Sequence, residues 1–340
     1  MQSYKKIPKT IKCPICCAND ACVLWRVSSR QAAQHFVLHE KYPERFSELV
    51  SHIEVLWGKR TCEIVRCNKC GFCYSSPYIA GDMRFYNLAY DRSGYPSWKW
   101  EFQLTYDVLR MFLKPEFTLL EIGAGDGAFV KRIAEEILPK ENIFCTEFSE
   151  YGRHQIENLG LKCFSKDIRE LQSVEFEGSF DVVCMFQVLE HMDRLDVLFQ
   201  KLNWIMQKGG SLFIAVPNQR RIEFNELNGA LLDMPPNHIG RWNEECFQEI
   251  GKQNGFHIEG YQVERSSFSA RVKQFITYRY LWKSQQSGSF ENYVQRIKNR
   301  SLLRTFQMIG VAVNLIMATP AFTRNGFREG NSQWVHLTRL

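Results

Sequence analysis

Apolar positions along this chain fall into short, nearly unbroken runs separated by stretches of helical periodicity, the pattern of a parallel sheet with crossover helices. The first run, at 119–122, ends in a glycine-rich turn. Residues 128–138 then show helical apolar spacing that stops at Pro139. A second strand is predicted at 142–148, and a helix at 150–159 closes at Gly160, a C-cap signal. Further strands are predicted at 161–164, 180–186, 211–218 (after Gly209-Gly210), 256–263 and 332–340, with a helix beginning near Asn243. Near the front, "SELVSHIEVLW" is the clearest amphipathic run, inside a stretch of 23–60 expected to be helical. Toward the end, 306–322 is the most apolar run. Gln307, Asn314 and Pro320 interrupt it, and it is short for a membrane span. Seven strands alternating with helices predict a doubly wound α/β sheet.

The turn after the first strand reads Glu121-Ile122-Gly123-Ala124-Gly125-Asp126-Gly127. Three residues without a Cβ let a ligand lie directly on the backbone, at the carboxyl end of a strand, where open α/β sheets hold their ligands. A dinucleotide turn spaces its glycines as G-x-G-x-x-G. Here the third glycine comes one residue early, which places a dehydrogenase last among the readings. Glu121 and Asp126 flank the turn, and two carboxylates suit a cationic, amino-bearing ligand better than a diphosphate. S-adenosylmethionine is such a ligand. Glu147, at the end of the second strand, can take both hydroxyls of a ribose. Asp167, after the third strand, is placed to hydrogen-bond an adenine amino group. The plain alternatives are a surface carboxylate for Glu147 and a helix N-cap for Asp167.

Cysteine usage adds a second chemistry. Cys13-Pro14-Ile15-Cys16 and Cys67-Asn68-Lys69-Cys70-Gly71 are two C-x-x-C knuckles, and four thiolates from two such turns make a structural zinc site. The gap between them is long for a compact zinc ribbon, and Cys17, Cys22, Cys62 and Cys73 compete as ligands. Residues 1–10 are polar and basic, without the apolar core of a secretory leader. Reduced cysteines and a cytoplasmic location are expected.

Taken together, "LLEIGAGDGAFV", Glu147, Asp167, "FDVVCMFQVLEHM" and "GGSLFIAVPN" make the stretch from about 118 to 263 resemble the class I S-adenosylmethionine-dependent methyltransferases. The resemblance implies a seven-stranded Rossmann-like sheet whose last strand is antiparallel. It implies S-adenosylmethionine held by Glu121, Gly123, Ala124, Gly125, Asp126 and Gly127, by Glu147 with Phe148, by Asp167 with Ile168, and by Gln187 and His191 on the open side. His191 is weighed as structural. The front, with "VRCNKCGFCYSSPY" and the aromatic segment Phe85, Tyr86, Tyr90, Tyr95, Trp98 and Trp100, is similar to sugar C-methyltransferases with an N-terminal zinc-binding module. In that family, tyrosines here face cofactor and substrate; interface packing is the other reading for Tyr86 and Tyr90, and the favoured one for the tryptophans.

Methyl transfer needs an aligned acceptor and usually a base for its proton. His238, in the loop "PPNHIGRW", is the first candidate base because imidazole titrates near neutrality; Tyr86 is the second. Where the C-methyltransferase pattern has Glu-His, this chain has Asn237-His238. No Asn-Pro-Pro-Tyr follows the fourth strand, which disfavours an amino-methylating enzyme for bases or glutamine.

Charge divides the chain unevenly. Residues 111–265 hold 16 basic against 25 acidic side chains, and 266–340 hold 11 against 2. The expected organisation is a zinc-binding module at 1–80, an aromatic helical linker at 81–115, and a methyltransferase domain at 116–340 with a basic helical insertion at about 266–331. The insertion is read as buried against the core with a solvated basic face; the sharper reading is peripheral contact with an anionic membrane. The expected function is methyl transfer from S-adenosylmethionine to a small molecule such as a nucleotide- or lipid-linked sugar, with a structural zinc ion. An RNA methyltransferase is the alternative within the class, nucleic acid being the less favoured partner. A non-catalytic S-adenosylmethionine-binding protein is the alternative outside it. Oligomeric state is left open.

Overall fold

The computed structural model describes residues 12–90, 98–171, 176–284, 286, 288–295, 297, 299–318 and 329–340. In chain order the front holds β1 (Ala21–Ser28), α1 (Ser29–Gln34), α2 (Pro43–Trp57), β2 (Thr61–Cys67), β3 (Cys73–Ser76), α3 (Met83–Ala89) and α4 (Trp100–Phe112). The alternating stretch follows as β4 (Leu119–Ile122), α5 (Ala128–Glu136), β5 (Ile143–Thr146), α6 (Glu150–Asn158), β6 (Lys162–Phe164), β7 (Phe180–Phe186), α7 (Leu195–Ile205) and β8 (Met206–Pro217). Beyond it come α8 (Gln219–Glu226), β9 (Gly240–Arg241), α9 (Glu244–Asn254), β10 (Phe256–Arg265), α10 (Phe268–Ser284), α11 (Phe290–Gln295), α12 (Arg300–Ala318) and β11 (Glu329–Arg339).

The seven-stranded sheet runs β10-β11-β8-β7-β4-β5-β6. β4 pairs in parallel with both β5 and β7, and β11 is antiparallel to β8. The unbroken apolar runs have a direct cause, because both faces of this sheet are covered. Leu120, Val183, Met185, Leu212 and Ile214 join one buried cluster, while their chain neighbours Leu119, Val182, Cys184 and Phe213 join the other. Strand order reverses at β4, so the crevice at the carboxyl ends of β4 and β7 is where a ligand belongs.

Two strand expectations are corrected. Residues 23–60 are not helical throughout. Their first part is β1, whose β-branched and aromatic residues pair antiparallel with β2 from Ala21↔Cys67 to Ser28↔Thr61. The fifth strand starts at Met206 rather than after Gly209-Gly210; the glycines lie inside it, with Gly209 at φ +76° and a register shift between Phe180 and Val182 on β7. In the front sheet, ordered β1-β2-β3-β9, the fourth strand comes from residues 240–241.

By its contacts the chain divides into two compact units: residues 1–217, 234–262 and 332–340, and residues 218–233 with 263–331. Within the second unit, α8 and α10 lie side by side. Phe224 meets Phe275 with ring centroids 5.5 Å apart, and Arg279 donates to Asn228 at 3.2 Å. The buried Asn314 of α12 donates to Glu291 of α11 at 2.8 Å. In the described part of the apolar run at 306–322, Gly310 and Asn314 are buried, but not the larger apolar side chains around them. Met308, Ile309, Val313 and Leu315 are exposed; residues 319–322, like Tyr95, lie outside the described residues.

Candidate active site and cysteine centre

The turn after β4 places Gly123, Gly125 and Gly127 at φ +70°, +59° and +81°, in the left-handed region that side chains disfavour. The loop is fastened from β5: the Thr146 carbonyl accepts from the Gly123 and Ala124 amides at 2.9 and 3.1 Å. Glu147 holds it from the side, one carboxylate oxygen accepting from the Gly125 amide at 2.8 Å and the other from Ser149 at 2.7 Å. Gly152, which sequence reasoning missed, lets α6 press on this loop; a Cβ there would stand 2.3 Å from the Gly125 carbonyl oxygen. A glycine in the first turn of an otherwise ordinary helix was the available signal.

Glu121 is 2% exposed, and one of its carboxylate oxygens is buried without a hydrogen-bond partner. Burial pushes its pKa up to about 8; nearby Lys99 opposes the shift, and Glu147 and Asp126 add to it. Burial also raises Glu147, against the amides of Ser149 and Gly125. Asp126 accepts from the Ala128 amide at 3.3 Å, just ahead of α5. Phe148 is exposed beside Glu147, and Ile168 is buried. Asp167 caps a short 3-10 turn and is clasped by Arg169, with contacts of 2.8 and 2.5 Å. Burial works to raise its pKa, but Arg169 holds it below the usual carboxylate value. Arg169 also binds Asp193 at 2.8 Å, a tie the sequence did not advertise.

Just past β7 the chain is strained and then polar. Gln187 sits at φ +60°, held by bonds from its amide to Glu101 at 3.1 Å and Ser332 at 3.2 Å. His191 Nδ1 lies 2.7 Å from the Asn237 carbonyl oxygen and 3.0 Å from the Tyr86 hydroxyl. Its ring packs edge-on to His238 with centroids 4.7 Å apart. Asn237 is fully buried, and its side-chain oxygen accepts from Tyr90 at 3.0 Å. A glutamate at 237 would put a charge in that buried position, whereas the neutral amide is satisfied by a phenol. Burial, and then Tyr90 and Glu190, push the Tyr86 pKa up, so its hydroxyl stays protonated through the neutral range. Tyr86, Tyr90, His191 and His238 therefore come together. Trp98 packs instead against Phe102 and Phe129.

The carbonyl of Asn237 can only accept. The proton of a neutral His191 ring thus sits on Nδ1, leaving the lone pair on Nε2, which lies 3.9 Å from the buried carboxylate of Glu190. Glu190, His191 and His238 offer metal-ligand atoms within 4.8 Å of one another.

At the front, the β1–β2 pairing brings both knuckles together. The sulfurs of Cys13 and Cys70 are 3.6 Å apart, those of Cys16 and Cys67 are 3.5 Å apart, and all four lie within 4.8 Å. Sulfurs bound tetrahedrally to zinc at about 2.3 Å are about 3.8 Å apart, so the four fit such an ion. The residue after each knuckle takes the same left-handed backbone, Cys17 at φ +56° and Gly71 at φ +73°. Cys17 is exposed and stays outside the group, as do Cys22, Cys62 and Cys73.

Part of the chain is similar to known proteins. Residues 99–260 match the family model described as "Methyltransferase domain". The mitochondrial ubiquinone biosynthesis O-methyltransferase of Dictyostelium discoideum is 25% identical over 118 residues, covering 31% of this chain and 37% of that protein. N-methyltransferase 4 of Papaver somniferum is 27% identical over 114 residues, 32% of each chain. The matched stretch thus spans only about a third of these relatives' length. Among solved structures, a coclaurine N-methyltransferase aligns with a TM-score of 0.44 at 15% identity, covering 70% of this chain and 72% of that one. The geranyl diphosphate C-methyltransferase of Streptomyces coelicolor A3(2) aligns with a TM-score of 0.41 at 11% identity, covering 70% and 78%. Residues 99–260, just under half of the chain, are thus similar to a methyltransferase domain.

Proposed function

We propose that this enzyme transfers a methyl group from S-adenosylmethionine to a hydroxyl or carbon of a small-molecule acceptor, a nucleotide- or lipid-linked sugar. The observation that carries the reading is the meeting of Tyr86, His191, Asn237 and His238 beside the carboxyl ends of β4 and β7. The residues present fit the cofactor. The buried, unpartnered oxygen of Glu121 calls for a cationic donor, and the glycine turn leaves its backbone open. When bound, S-adenosylmethionine supplies an electrophilic methyl carbon. Glu121 and Asp126 receive its amino and sulfonium end across Gly123, Ala124, Gly125 and Gly127. Glu147 takes the ribose with Phe148 alongside, Asp167 and Ile168 take the adenine, and Gln187 borders the open side.

The acceptor's proton goes to His191 Nε2. Asn237 and Tyr86 orient that ring through Nδ1, and His238 stands edge-on beside it. This reading gives the proton-accepting role to His191, beside the other candidates His238 and Tyr86; burial keeps the Tyr86 hydroxyl protonated. A second reading makes Glu190, His191 and His238 the ligands of a divalent cation; activity that survives EDTA would remove it. The front cysteines Cys13, Cys16, Cys67 and Cys70 hold a structural zinc ion, with residues 1–80 as its module.

The test is incubation of the purified enzyme with methyl-labelled S-adenosylmethionine and separate pools of nucleotide-linked sugars, lipid-linked sugars and RNA. Label in a sugar pool supports the proposal. Label in RNA alone overturns it, and no label in any pool with intact cofactor binding favours a binding protein. Gly125→Arg should abolish cofactor binding measured by calorimetry.

A further inference from the structure

The helices of the second unit expose apolar surface in a continuous stripe. On α12, Leu302, Phe306, Ile309 and Val313 follow one another at spacings of four, three and four residues, which keeps them on one helix face. They are 52%, 36%, 46% and 47% exposed. Met308 and Leu315, at 68% and 39%, are exposed on another part of the helix, about 130–150° round from that row. The packed side flanks this row, about 100° round the helix. Gly310 closes on Tyr280 and Phe290, and Asn314 is buried on Glu291. Patches of this kind on a folded protein mark contact with a partner or a membrane.

Charge selects between occupants. Between 265 and 328 the sequence holds a single carboxylate, Glu291, against eleven Lys and Arg. Glu291 is only 3% exposed and lies 3.6 Å from Lys283. Lys273 and Arg304 are exposed, so the described surface of α10, α11 and α12 is apolar and cationic with no exposed anion. A second copy docking through this stripe would bring like charges together, with no acidic partner to pair them. An anionic lipid surface meets both features at once: acyl chains take the apolar row, and phosphates take the cations. No helix of the described residues is long and apolar enough to cross a membrane. The geometry is that of a helix lying in the interface plane, about 28 Å long at 1.5 Å per residue for its 19 residues.

We infer that the α12 face bearing Leu302, Phe306, Ile309 and Val313 is a docking surface for an anionic membrane. The surface is independent of which acceptor the enzyme methylates.

The experiment is co-sedimentation of the full chain with vesicles of phosphatidylcholine alone or with one-third phosphatidylglycerol, at low and high salt. Binding is expected only to the mixed vesicles and should weaken by tenfold or more at high salt. The doubly substituted Ile309→Glu/Val313→Glu chain should lose at least tenfold in partitioning while keeping its helical circular dichroism. Leu302→Glu/Phe306→Glu provides a second exposed pair on the same face if the first variant misfolds. Absence of binding to the mixed vesicles overturns the inference. So does undiminished binding by both double variants, or a dimer in sedimentation velocity that the substitutions dissolve without any vesicle binding.

Discussion

The cysteine centre and the histidine–tyrosine site lie in the same unit and are assembled in opposite ways. The cysteine centre gathers four identical side chains from two local turns, each with the same backbone after its last cysteine. The histidine–tyrosine site gathers unlike side chains from separate segments: Tyr86 on α3, His191 after β7, and Asn237 and His238 from the loop before β9. The four cysteines of the first arrangement are buried. The second stays partly open, as a site that must admit a substrate does. They are joined by β9, whose residues pair with Cys73 and Tyr74 next to the second knuckle, while the Ile239 amide donates to the Glu190 carbonyl. A buried site thus braces an open one.

The largest expected effect comes from breaking the brace. Cys67→Ser removes one thiolate from a group whose metal affinity is folding free energy. We expect loss of the zinc ion measured by atomic absorption, and a fall of several kcal/mol in front-sheet stability. Methyl transfer should fall with it, because β9 positions the loop that carries His238. Full activity in a zinc-free variant would show that the two sites are uncoupled.

Next is the open site itself. His191→Gln should lower kcat by about 10²–10⁴-fold, the usual range for a general base, with little change in KM. Tyr86→Phe, which leaves the Asn237 contact to fix the ring, should cost about tenfold or less. The reverse order would return the base role to the phenol.

A smaller effect sharpens the electrostatics of the glycine loop. Folded Glu121 keeps its proton to about 8, against 4.5 when unshifted. The folded state therefore holds an extra proton between those values. Stability from this group is full below 4.5 and is lost as pH rises through 8. A cationic ligand prefers the ionised carboxylate, so S-adenosylmethionine affinity should rise by up to about tenfold per pH unit below 8, with release of a proton. Calorimetry in buffers of different ionisation enthalpy reads that proton. Glu121→Gln should flatten the pH dependence; an unchanged slope would place the cationic end of the cofactor elsewhere.

What the sequence revealed follows the same division. The glycine turn, the seven strands and both knuckles are local patterns: period, spacing and turn residues fix them within a few positions. β7 at Phe180–Phe186 was legible residue for residue because a strand covered on both faces leaves an unbroken apolar run. β1 was not legible as a strand, since its partner β2 lies some forty residues away and an apolar run of eight suits helix and strand alike. The partnership of Tyr86 with His191 spans 105 positions, and no local pattern encodes it. Arg169 likewise looked like one more surface cation until Asp167 and Asp193 converged on it. The exposed face of α12 was not legible because an apolar run predicts burial on average, and periodicity does not say whether any element covers it.

The smallest effect tests how closely the two knuckles match. Gly71 follows the second at φ +73°, where glycine has no steric penalty, and Cys17 follows the first at φ +56°, where a side chain costs about 1–2 kcal/mol. Replacing Cys17 by glycine relieves that strain but loosens the unfolded chain by about 0.5–1 kcal/mol. The net expectation is a gain of up to about 1 kcal/mol in denaturant unfolding, with one zinc ion per chain retained. Cys17 is exposed and lies outside the four clustered sulfurs, so its thiol should contribute nothing to the metal. A Cys17→Gly chain that loses zinc would overturn the ligand assignment. One that keeps zinc without gaining stability would mean that the metal alone holds the first turn, and that the likeness of the two knuckles is imposed by the ion rather than by the chain.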